Sequence, residues 1–179
     1  MTKVICKTMI LIDKIIGNIN SDSHLKEKYR DMFKSDHVEK IEITRLESER
    51  ARIRKVSNKG TDLALTMTHG SHINDGDVVL LTDDKMVIAK RVPENVAKIS
   101  LKGNISAEQI LETAIKLGHT IGNMHRPIKI TNNKIYFPIQ SESEIELFQK
   151  LLSNLIDNID IKSDNIIFEP ESGFDIHGH

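Results

Sequence analysis

The chain has 179 residues, 39% of them hydrophobic and 28% charged, which allows one large domain or two small ones and has the balance of a globular protein. A net charge of −1 gives no broad field to attract a polyanion, and 4% aromatics with no Trp leaves little to stack on nucleic acid, so a nucleic-acid partner is excluded. The single Cys6 rules out an intramolecular disulfide and a thiolate-rich zinc site. The apolar run at 9–12 is too short to span a bilayer, and Asp13-Lys14 break any signal-peptide pattern, which points to a cytoplasmic protein without a membrane partner.

Met9-Ile10-Leu11-Ile12, then Ile15-Ile16, predicts a first strand ending near Gly17-Asn18. Residues 23–36 are polar, with Leu25, Tyr29, Met32 and Phe33 at helical spacing. They predict a surface helix packed by that stripe and capped by Ser23. From 38 to 96 the pattern becomes short strands punctuated by turns at Asn58-Lys59-Gly60, Asn74-Asp75-Gly76-Asp77 and Asp83-Asp84-Lys85, which predicts a small all-β unit. Arg50, Arg52 and Arg54 alternate along one of these strands. They form either a basic stripe for a partner or simply the solvated face of a half-buried strand.

Pro93-Glu94-Asn95 reads as a linker. Residues 97–101 predict a strand, and Ser106 an N-cap. Ala107, Ile110, Leu111, Ala114, Gly118 and Ile121 then make one apolar helical face, ended by Gly122-Asn123. Residues 127–130 and 134–139 form a hairpin about Asn132-Asn133. Ser141 and Glu144 have capping-box spacing, and Ile145, Phe148, Leu152, Leu155, Ile156 and Ile159 predict a second helix. Ile166-Ile167-Phe168 is the last strand. The order β-α-β-β-α-β is that of the ferredoxin-like unit. The expected class is α+β: an N-terminal β domain over 1–96, a ferredoxin-like domain over 97–168, and a flexible tail over 169–179.

Histidine is the residue with chemistry to offer. His119 and His125 lie six positions apart across Gly122, and the chain ends His177-Gly178-His179. Imidazole ligates nickel, zinc and copper, with Glu171 and Asp175 as further oxygen donors. The helix-ending turn between His119 and His125 keeps them off one helical face, so the pair is not a two-ligand site of the i, i+4 kind. A two-fold dimer supplies what one chain lacks, by bringing two copies of His125 together. Such open coordination suits a carrier, and its affinity falls with pH because only neutral imidazole ligates. No nucleophile, oxyanion hole or phosphate loop is legible, so an enzyme is not expected, and a metal-dependent hydrolase ranks last.

Three stretches carry a family resemblance. The first runs from Arg52-Ile53-Arg54 through Gly60-Thr61-Asp62-Leu63-Ala64-Leu65 to Asp75-Gly76-Asp77-Val78 and Leu80. The second is Ile121-Gly122-Asn123-Met124-His125-Arg126-Pro127, and the third is Phe168-Glu169-Pro170-Glu171-Ser172-Gly173. Together they span most of residues 41–173, and they resemble the UreE-type urease accessory proteins, nickel carriers for urease maturation. The resemblance implies a peptide-binding type of β domain joined to a ferredoxin-like metal domain, working as a homodimer. It implies that His125 binds nickel at the dimer interface and that His177 and His179 add to it, while His119, standing where the family often has an aromatic or a histidine, is a bystander or supports a ligand. It further implies delivery to a urease accessory GTPase and, through it, to the urease apoprotein. Met124 stands where the family signature has arginine, and the strand 134–138 carries no histidine for an accessory site. The competing reading is a peptide-binding co-chaperone whose metal binding is incidental.

Overall fold

The computed structural model describes residues 8–170 apart from His69 and Asn104. Cys6 and the tail from 171 onward, with His177 and His179, therefore lie outside the described residues. By its internal contacts the chain divides between Val92 and Pro93, ahead of the boundary drawn at 96.

The first unit is built from β1 (Ile10–Ile12), β2 (Gly17–Asn18), α1 (Ser23–Lys34), β3 (Val38–Ile43), the single turn α2 (Arg45–Ser48), β4 (Arg52–Val56), β5 (Asp62–Thr66), β6 (Asp77–Leu81) and β7 (Met86–Arg91). They form two sheets, ordered β1-β5-β4 and β2-β6-β7-β3. The first apolar run is therefore split: β1 pairs parallel to β5, while β2 pairs with β6 in the other sheet. The four-stranded sheet is covered on both faces. Ile41, Ile43, Val79, Val87 and Ala89 join Leu63 and Leu65 in one core, whereas Val38, Val78, Met86 and Ile88 pack with Leu25 and Met32 of α1 in another. This explains why β6 and β7 read as unbroken apolar runs rather than alternating ones, since strands buried on both faces need apolar residues at every position. α1 is capped by Asp22, whose carboxylate accepts from Leu25 N, rather than by Ser23. Phe33, expected in its packed stripe, is 57% exposed.

A buried carboxylate ties this unit together. Glu39 on β3 accepts from the Ser57 hydroxyl, and Lys85 Nζ lies 3.0 Å from it. Burial opposes ionisation of Glu39. Hydrogen bonds from Ser57, Thr61 and Lys85 outweigh that cost and hold the carboxyl below the usual glutamate range. A carboxyl depressed in the folded state contributes stability above its unfolded value and loses it as pH falls through the folded one. Glu39→Gln is thus expected to cost about 2 kcal/mol at neutral pH. It should also flatten the loss of stability below about pH 4, as measured by urea unfolding across pH.

The second unit comprises β8 (Glu94–Leu101), α3 (Ala107–Asn123), β9 (Lys129–Thr131), β10 (Lys134–Pro138), α4 (Ser143–Leu151), a 3₁₀ turn at Ser153–Leu155 and β11 (Ile159–Ile166). Its sheet is ordered β11-β8-β10-β9, with every neighbouring pair antiparallel. This is the ferredoxin-like arrangement, in which β8 and β9 are parallel and flank β10. Glu94 and Asn95, read as linker, are strand residues paired with Ile166 and Asn165. The last strand starts at Ile159, not near 166, because Ile159 and Ile161 face the core while Asp160 and Lys162 are exposed. Lys98 and Asp164 meet at 2.6 Å across β8 and β11. Their mutual hydrogen bond raises the lysine pKa and lowers that of the aspartate.

The core of this unit is mainly aliphatic, with Phe137 edge-on to Phe148 at 4.7 Å between centroids. Ser141 and Glu144 do not form the predicted capping box. α4 has no side-chain cap, and the Glu144 carboxylate is engaged elsewhere. Among the described residues no helix is long and apolar enough to cross a membrane.

Candidate metal centre

α3 begins with a full capping box, in which Gln109 N donates to Ser106 Oγ at 3.2 Å and Ser106 N donates to Gln109 Oε1 at 2.8 Å. Its buried residues are Thr113, Leu117 and Ile121, four apart. Of the face predicted from the sequence, only Ile121 is buried. Ile110, Leu111 and Ile115 are 41%, 63% and 63% exposed, and Ala107, Ala114, Gly118 and Gly122 lie open beside them. The apolar arc of this helix is wider than the sheet can cover, so sequence periodicity locates the arc but not the part of it that packs.

The helix ends at Asn123, as Gly122-Asn123 predicts, with Met124 as the cap residue, but the left-handed residue is His125 itself, at φ 51°. Glycine or asparagine is the usual occupant of that position, and a side chain there costs roughly 1 kcal/mol. Histidine is among the residues that tolerate it. Pro127 follows two residues later and cannot continue a helix. The turn closes with His125 N donating to Gly122 O at 3.0 Å. Met124 packs against the core, which explains a methionine here in physical terms. Arg126 donates to Pro138 O at 2.8 Å and to Glu144 Oε2 at 2.9 Å. His125 is thus an exposed residue on a turn between two anchored neighbours.

His119 is exposed on α3, and its Nε2 is 3.1 Å from Asn123 Nδ2. Among the described residues no three or more His, Cys, Asp or Glu side chains converge as a metal site. Any metal site that includes His125 would therefore need ligands from beyond the described part of one chain. Topology narrows where those ligands can come from. α3 leaves β8 after Leu101 and returns along it, so His125 stands at the end of the sheet where β8 begins. β11 finishes at that same end, with Ile166 opposite Glu94, and Phe168 is fully buried just beyond. The pairing of Arg126 with Glu144 escaped the sequence reading, which gave Glu144 a capping role and Arg126 none.

A β-rich unit followed by a ferredoxin-like unit with one histidine-bearing turn has the make-up of a urease accessory protein, and sequence comparison agrees. Residues 12–91 match the N-terminal domain of the UreE urease accessory protein. The chain is 32% identical over 136 residues to the urease accessory protein UreE of Yersinia enterocolitica, covering 73% of this chain and 57% of the relative. It is 31% identical over 137 residues to that of Yersinia bercovieri and 31% over 136 to that of Yersinia kristensenii, covering 73% of this chain and 58% of the relative in each case. The chain thus spans just over half the length of these relatives. It belongs to the UreE family.

Proposed function

We propose that this protein is a cytoplasmic, non-enzymatic metallochaperone that carries Ni(II) for maturation of the urease metallocentre, holding the ion at a homodimer interface. The observation that carries this reading is the exposed, left-handed turn at His125, a costly conformation kept for a residue whose side chain is a metal donor. Nitrogen ligands suit nickel, with zinc and copper as competitors. The uncovered apolar face of α3 supports a self-complementary dimer, in which two His125 side chains approach one another across a two-fold axis.

His177 and His179 complete or shuttle the ion in this reading. His119 is left a subsidiary role. The ferredoxin-like unit, 97–168 with the tail 169–179, presents the metal. The N-terminal unit docks partners, the urease accessory GTPase and through it the urease apoprotein. Its exposed edge strand β4 supports that assignment, with Arg52 and Arg54 on the outer face and Arg54 held by Asp62 at 2.7 Å. A peptide-binding co-chaperone with incidental metal is the alternative, and it predicts partner capture that survives chelation.

Nickel titration by calorimetry, with mass measured by sedimentation, tests the proposal. One tight Ni(II) per two chains is expected, weakened but retained when residues 177–179 are removed. Tight binding of one ion by each isolated monomer would overturn it.

A further inference from the structure

We propose that Arg126, braced by Glu144, is a positioning residue that holds the His125 turn in the form that presents its imidazole. The inference rests on the reading of His125 as a metal ligand. Its own support is the geometry around the turn. The Arg126 guanidinium spans two elements, giving one N–H to Pro138 O at the end of β10 and another to Glu144 in the first turn of α4. Both partners of the ion pair are largely covered, at 22% and 17% side-chain exposure, so the pair is shielded from solvent more than a surface contact would be.

Glu144 is itself fixed, since its other oxygen accepts from Gln140 N at 3.2 Å. On the opposite side of His125, Met124 is packed into the core. The histidine is therefore bracketed by one residue anchored through apolar contact and one anchored through a two-pronged hydrogen bond. Such a bracket supplies the free energy that a left-handed histidine needs, and it limits the directions in which the imidazole can project. It also explains why Glu144, at capping-box spacing from Ser141, does not cap its own helix.

Two readouts on the full-length protein test this. Backbone NMR couplings and shifts report the left-handed φ of His125 without metal, and calorimetry reports nickel affinity. Arg126→Ala is expected to average the His125 signature toward ordinary coil and to lower affinity about 10-fold. Arg126→Lys, which loses the planar fork, should fall between that variant and the parent. Unchanged couplings and affinity in Arg126→Ala overturn the proposal. Should that variant lose its dispersed amide spectrum, the same two readouts on Glu144→Gln decide the matter, and no change there overturns it as well. His125→Asn separates the two claims. If it binds nickel like the parent, the ligand reading fails, and the couplings alone then judge Arg126.

Discussion

His125→Asn is expected to lower nickel affinity by at least about 100-fold while leaving the fold and the dimer in place. Asparagine is chosen because the position is left-handed, at φ 51°. Alanine there would add backbone strain to the loss of imidazole and blur the result, whereas asparagine occupies that region readily. In a two-fold site each substitution removes two ligands, so the effect exceeds that of changing a residue that only supports a ligand. His119→Ala should change affinity little, because His119 is exposed and bonded to Asn123. Asp36→Ala, on a turn of the other unit, should have no effect. Calorimetric titration of the three variants, with circular dichroism as the control for folding, is the measurement. Parent-like affinity in His125→Asn would remove the metal-carrier reading.

Ile115→Asp is expected to raise the dimer dissociation constant by about 100-fold or more, equivalent to roughly 2.7 kcal/mol. Ile115 is 63% exposed in the protomer, as is Leu111 one turn earlier, so the substitution removes little packing within one chain. In a dimer closed over this face, the same change would bury an unpaired carboxylate against apolar surface, twice by symmetry. The protomer should therefore keep its unfolding midpoint while association fails. Tight nickel binding should fail with it, because the proposed site needs two His125 side chains to meet. Lys116→Ala serves as the control, since Lys116 pairs with Glu112 on the polar side of α3. Sedimentation equilibrium decides the question, and an unaltered dimer in Ile115→Asp would place the interface elsewhere.

Much of the second unit was legible because its turns are chemically specific. Asn132 and Asn133 adopt φ of 50° and 57°, as a tight hairpin of this composition requires, and Ser106 with Gln109 closes the start of α3. Reading failed where one pattern served two structures. Leu152, Leu155, Ile156 and Ile159 keep helical spacing after α4 has ended, so β11 was hidden behind a false continuation of the helix. In the first unit, β1 and β2 look like one strand. Only their non-local partners, Leu63 to Leu65 for one and Asp77 and Val78 for the other, assign them to different sheets.

The sequence by itself determined the class of fold and the element order of the ferredoxin-like unit, and it singled out His125 as the candidate ligand. These follow from periodicity, turn chemistry and the scarcity of other reactive groups, all of which are local properties of the chain. The tertiary structure alone decided which part of the α3 arc packs, why β6 and β7 are apolar at successive positions, and that Arg126 grips Pro138 and Glu144 around the histidine turn. Those outcomes depend on which distant surfaces meet. A side chain's pattern shows that it can be buried or paired, but its partner exists only once the sheet has closed.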